Sequence, residues 1–147
     1  MATKKDGGKG ATKKRKRAAT SKTEDGAVRA GKAEAEARAL ALAIAAVALE
    51  HKALNVEIID VRGKVDYSDY VVVMSGRSDR QVAALARNLQ QALEQRGQRC
   101  IGVEGLPHAS WLLMDFGDVI VHIFHEDTRG YYDLETLWID AARLSVE

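Results

Sequence analysis

The sequence predicts an α/β domain, a mixed β-sheet flanked by helices in the order α-β-β-α-β-β-β-α, carried behind a disordered basic tail. Three observations give this class. "YVVVMSG" at 70–76 is a near-continuous β-branched run, the pattern of a strand buried on both faces. Directly after it, Ser78 and Gln81 form an S-x-x-Q box ahead of an apolar stripe at helical spacing. Near the other end, "WLLMD" and "VIVHIFHE" are two strand-like runs separated by "FGD", where Gly117-Asp118 suits a tight hairpin turn.

The elements follow in chain order. Residues 1–31 are rich in Lys, Gly, Thr and Ala, with almost no large apolar side chain to offset the entropy of ordering, and are expected to be disordered. The domain spans 32–147. From about Lys32 to Leu54 the chain is alanine-rich and helical in pattern, with Leu40, Ile44 and Val47 on one stripe. "VEIIDV" at 56–61 is a strand, "RGKVDYSD" a turn and "YVVVMSG" a central strand. The next helix buries Val82, Leu85, Leu89 and Leu93 and stops at Gly97. "CIGVEG" at 100–105 is a short strand and "LPHAS" a loop. The hairpin then leads into a last helix over "DTRGYYDLETLWIDAARL", with Thr128 or Asp133 as N-cap and Leu134, Leu137, Trp138 and Ala141 as its buried stripe.

Composition excludes several classes. The 147 residues suit one domain. No apolar run approaches the roughly 20 residues that span a bilayer; the longest, "ALALAIAAVAL", is bracketed by Arg38 and Glu50, so a soluble protein is expected. The one cysteine, Cys100, has no partner for a disulfide or a zinc site, fits a reducing cytoplasm and reads as a small buried hydrophobe. The tail lacks an apolar signal core and carries Asp6, Glu24 and Asp25, so a targeting peptide is not expected. The D-F-G at 115–117 is turn chemistry, since the glycine-rich loop, strand lysine and H-R-D of a kinase are missing from the sequence. His122 and His125 are three apart on a strand and point to opposite faces, which is wrong for a pair of metal ligands. His122 reads as a satisfied, semi-buried histidine and His125 as a strand-end residue, and no metal or cofactor is assigned.

Charge is unevenly spread. Residues 1–32 hold 11 Lys/Arg against 3 Asp/Glu, whereas 33–147 hold 11 against 18. Within the domain, 33–100 are balanced at 9 of each sign, and 101–147 hold 2 basic and 9 acidic residues. Asp115, Asp118, Glu126, Asp127, Asp133, Glu135 and Asp140 are interleaved there with Trp111, Phe116, Tyr131, Tyr132 and Trp138. An acidic, aromatic surface repels phosphate and suits a basic protein partner, which charge steers and aromatic side chains anchor.

"IIDVRGKVDYSDYVVVMSGRSDRQV", "GVEG" and "WLLMDFGDVIVHIFHEDTRGYYDLETLWIDA", in this order over about residues 33–143, resemble the ribosomal silencing factor (Iojap) family. The resemblance implies a non-enzymatic protein, cytoplasmic here, that binds the large ribosomal subunit through its fourteenth ribosomal protein. By occupying the face where the small subunit docks, it would block joining and repress translation under nutrient limitation. It also implies a fold similar to that of nucleotidyltransferases and a tendency to homodimerise in the free state. Contact is expected on "WLLMDFGD", with Trp111 and Leu113 as apolar anchors and Asp115 and Asp118 facing basic side chains, supported by Glu126 and Asp127. The tail's "KKRKR", Lys13, Lys14, Arg15, Lys16 and Arg17, would add a weak rRNA contact, by effective concentration once the domain is docked. The fold likeness supplies a rival, a nucleotidyltransferase-like enzyme using the strand-to-helix junction at 74–79. Such enzymes hold magnesium with paired carboxylates on the following strand, and "CIGVEG" offers only Glu104. Ser75, Gly76 and Ser78 are accordingly read as helix-start architecture.

Overall fold

The computed structural model describes residues 24–105 and 110–146. The order is helix α1 (Glu24–Glu50), strands β1 (Leu54–Asp60) and β2 (Tyr70–Gly76), helix α2 (Asp79–Gln95), strands β3 (Gly102–Glu104), β4 (Trp111–Asp115) and β5 (Val119–His125), helix α3 (Glu126–Tyr132), a 3-10 turn (Leu134–Trp138) and strand β6 (Arg143–Leu144). The predicted mixed α/β sheet is present, six-stranded in the order β3-β4-β5-β2-β1-β6. β2 and β5 run parallel and the other neighbours antiparallel. All seven residues of β2 are buried, as its β-branched run predicts for a central strand.

Because side chains alternate along a strand, the sheet has two apolar faces. On the first, Ile58, Val72, Met74, Leu112, Met114, Val121 and Ile123 meet α1 and α2. The α1 stripe of Leu40, Ile44 and Val47 is buried as predicted, filled in by Ala37, Ala41, Ala45 and Ala48, whose small side chains let the helix lie close. The α2 stripe of Val82, Leu85, Leu89 and Leu93 is likewise buried. Ser78 caps α2 by accepting the Gln81 N–H at 3.1 Å, while the Gln81 side-chain oxygen reaches past the cap to the Arg77 N–H at 2.6 Å. The helix stops at Gly97, where Gly97 N–H donates to the Glu94 carbonyl and Gln98 N–H to the Leu93 carbonyl. On the second face, Ile59, Val71, Val73 and Phe124 pack under Trp138 and Ala141.

Three boundaries differ from the sequence reading. α1 begins at Glu24, eight residues before the predicted start, so its first turns extend into the segment read as tail; residues 1–23 lie outside the described residues. It also ends at Glu50 rather than Leu54. Lys52 adopts φ 67°, and Ala53 N–H returns to the Ala48 carbonyl at 2.9 Å, a left-handed stop made without glycine. The single predicted last helix is instead two pieces and a strand. α3 starts behind His125, whose Nδ1 accepts the Asp127 N–H at 3.1 Å, so neither Thr128 nor Asp133 is its N-cap. Asp133 is left-handed, φ 49°, and ends α3. In the tighter 3-10 turn that follows, Trp138 is buried and Leu134 half-buried, while Leu137, predicted to be buried, is 69 % exposed.

Candidate interaction surface on the second face

Trp111, Leu113 and Asp115 alternate with the buried Leu112 and Met114, so β4 presents all three on the second face, each half-buried. Opposite them on β5 stand Phe124, His122 and Ile120, and on the β3 side Glu104 pairs with Leu113 and Gly102 with Asp115. Trp111 is the hub of this face. Its ring stacks on Phe124 at 5.2 Å and tilts against Tyr132 at 4.4 Å, and its indole N–H donates to His122 Nδ1 at 3.1 Å. His122 is thus the satisfied, buried histidine predicted. Burial lowers its pKa to about 4, and with Nδ1 accepting, the proton of the neutral ring is on Nε2.

At the turn end, Phe116 N–H donates to the Val119 carbonyl at 3.0 Å across Gly117-Asp118, the predicted hairpin. Gly117 has φ 90°, which favours glycine, and its N–H donates to Asp115 Oδ1 at 2.7 Å. The Asp118 carbonyl accepts from Asp69 N–H at 2.8 Å and from the Ser68 hydroxyl at 2.9 Å, tying the turn to the loop before β2. Glu126 and Asp127 are exposed at the opposite end of β5, where α3 begins. The expected contact residues therefore form a row: Trp111, Leu113 and Asp115 along β4, with Asp118 at the turn and Glu126 and Asp127 at the α3 end. Lys13, Lys14, Arg15, Lys16 and Arg17 lie outside the described residues.

Sequence reasoning missed what holds this surface together. Arg129 on α3 is 8 % exposed and donates to Glu135 at 2.8 Å, the Asn55 carbonyl at 2.6 Å and the Ser75 hydroxyl at 3.0 Å, with Glu57 at 3.6 Å. Arg143 adds bonds to Glu57 at 3.2 Å and to the Trp138 and Ala141 carbonyls at 2.7 and 2.9 Å. A signal was available: these are the only two basic residues in 101–147, and a lone cation among acids is a natural cross-link. The same network engages the junction at 74–79, since the Ser75 hydroxyl is occupied by Arg129. Among the described residues no group of three or more His, Cys, Asp or Glu could hold a metal ion. The surface has an aromatic centre, with carboxylates along β4 and at both ends of the row.

The family model described as "Ribosomal silencing factor during starvation" matches residues 34–147. The chain belongs to the ribosomal silencing factor family. Two relatives named Ribosomal silencing factor RsfS, regulatory proteins by that name, come from Bacillus subtilis and Halalkalibacterium halodurans. The first is 43% identical over 92 residues, covering 63% of this chain and 78% of its own length. The second is 39% identical over 98 residues, covering 67% and 84%. A crystal structure of a Chromobacterium violaceum protein superposes with a TM-score of 0.64 at 33% identity, covering 75% of this chain and 88% of that one. A silencing factor acts on ribosomes by its family name, and among the described residues no helix is long and apolar enough to cross a membrane.

Proposed function

We propose that this ribosomal silencing factor is a cytoplasmic, non-enzymatic protein that binds the large ribosomal subunit through its fourteenth ribosomal protein. Sitting where the small subunit docks, it prevents joining by occupying the space and so represses translation when nutrients are limiting. The observation that carries this reading is the row on the second face. Trp111 and Leu113 offer apolar area, Asp115, Asp118, Glu126 and Asp127 border it, and the aromatic stack beneath holds the anchor in one orientation. Ribosomal proteins are basic, so charge would steer the encounter and the pre-ordered tryptophan would lower the entropy cost of docking. Aromatic anchors are prominent among the few residues that dominate binding energy.

The test is co-sedimentation with isolated large and small subunits, followed by addition of the missing subunit at magnesium levels that favour joining. Binding to the large subunit alone, with joining blocked, is the expected result. Binding to neither subunit would overturn the reading. Trp111→Ala, with the fold checked by circular dichroism, should release the protein from the large subunit.

A further inference from the structure

The cations of this domain divide by whether a carboxylate answers them. Arg62, Lys64, Arg129 and Arg143 are each ion-paired to carboxylates. The segment 77–99 holds five arginines, Arg77, Arg80, Arg87, Arg96 and Arg99, against Asp79 and Glu94, and no lysine. All five are exposed, and among the described residues none has an ion-pair partner. Arg80 and Arg87 are seven residues apart, two turns of helix, and so share the outward stripe of α2, opposite Val82, Leu85, Leu89 and Leu93. Lys52 lies beside the start of this stripe, its carbonyl accepting from the Gln81 side chain at 3.2 Å.

α2 lies on the first face, whereas the acidic segment 126–140 lies on the second, with the sheet between them. The sheet stands between α2's arginines and those carboxylates, and charges further apart than the Debye length of about 8 Å at physiological ionic strength are largely screened from each other. The domain's overall acidity, which as a bulk quantity argues against nucleic acid, therefore does not describe α2.

From this division we infer that the outward side of α2 is a second contact surface, one that takes the sugar–phosphate backbone of RNA. Guanidinium groups without intramolecular carboxylates keep their planar donor forks free for phosphate oxygens, a geometry lysine does not provide. The contact proposed is to phosphate oxygens and so carries no base specificity of its own. The inference rests on the ribosomal reading only for which RNA is met in the cell: a silencing factor held by its second face would turn α2 away from that contact, toward rRNA on its opposite side.

The experiment uses the full chain and a fluorescein-labelled RNA hairpin, read by fluorescence anisotropy across a potassium chloride series. The tail is neutralised first by Gln substitution at Lys13, Lys14, Arg15, Lys16 and Arg17, and Arg80→Gln with Arg87→Gln is then added. Neither arginine makes a contact within the domain that the substitution would remove, so an unchanged thermal midpoint is the fold control. The tail-neutralised protein should retain salt-dependent binding. The added pair should weaken it about tenfold and make the slope of log affinity against log salt shallower by about 1.5, two phosphate contacts' worth. Complete loss of binding on tail neutralisation alone, or an unchanged slope with the arginine pair, would overturn the inference. Because the probe is free RNA, failure here is distinct from failure of subunit binding in the sedimentation assay.

Discussion

The two faces of the sheet are closed by different chemistry. The first is sealed by two long helices over a mainly aliphatic layer, its buried members running from Ala37 to Ile123 with no charged residue among them. The second is sealed over β1, β2 and β5 by a short helix and a 3-10 turn that are pinned through Arg129 and Arg143 to Glu57, Glu135 and backbone carbonyls. Over β4 it is left part-open. Apolar closure by long helices covers the sheet on that side. Closure by a few directional bonds leaves one strand of the same sheet part-exposed, at the cost of resting on very few side chains.

The comparison is broken most severely at Arg129. Arg129→Ala would leave Glu135 without its cation, Glu57 with Arg143 alone and the Asn55 carbonyl without its donor, and should cost about 3–5 kcal/mol, the usual penalty for removing one member of a buried pair. Urea unfolding measures it. A loss below about 1 kcal/mol would mean that Trp138 and Ala141 alone hold the second layer. Next in size is Leu89→Ala on the first face, where a fully buried leucine is removed from α2. A cost of about 3 kcal/mol is expected from lost burial and the cavity left behind. Large-subunit binding by the folded fraction should be unchanged, whereas Arg129→Ala should weaken it by loosening α3 and with it Tyr132 against Trp111.

A third prediction uses pH. Burial lowers the His122 pKa from its ordinary 6.5 to about 4, so between those values the unfolded chain binds the proton more readily than the folded one. The neutral ring's contribution is full above pH 6.5 and is lost as pH falls toward 4. Relative to pH 7, the protein should be less stable by about 2 kcal/mol at pH 5 from this group, at 1.36 kcal/mol per unit. His122→Gln keeps an acceptor for the Trp111 N–H and removes the titration. The difference between the two proteins' stability-versus-pH curves should therefore flatten above pH 6.5 and open below it. Parallel curves would show that His122 is protonated in the fold or hydrated.

The first face was legible because its pattern is periodic: Leu40, Ile44 and Val47, then Val82 through Leu93, repeat at helical spacing, and 70–76 is β-branched throughout. Two of the three boundary errors share a physical cause. Lys52, Asn55 and Asp133 all take φ between 49° and 67° without being glycine, and they set the end of α1, the irregularity in β1 and the end of α3. A left-handed lysine gives no local signal, because its conformation is fixed by the tertiary contacts around it. The contact row was legible in part. Alternation put Trp111, Leu113 and Asp115 on one face, but choosing the outward face required knowing that Leu112 and Met114 meet α1 and α2. Arg129 and Arg143 were missed because their partners on and beside β1 are distant in sequence, 74 residues from Arg129 to Asn55 and 86 from Arg143 to Glu57.

The smallest expected stability effect separates recognition from architecture at Asp115. Its carboxylate serves the fold through Oδ1, which accepts the Gly117 N–H, and serves the proposed surface through its charge. Asp115→Asn retains a side-chain oxygen in the same place, so stability should stay within about 0.5 kcal/mol. Asp115→Ala removes the acceptor and should cost about 1 kcal/mol, the net worth of one such hydrogen bond. If the charge faces basic side chains on the ribosome, both variants should weaken large-subunit binding to a similar extent despite their different stabilities. If only Asp115→Ala weakens it, Asp115 acts by shaping the turn, and the charged contact moves to Glu126 and Asp127 at the other end of the row.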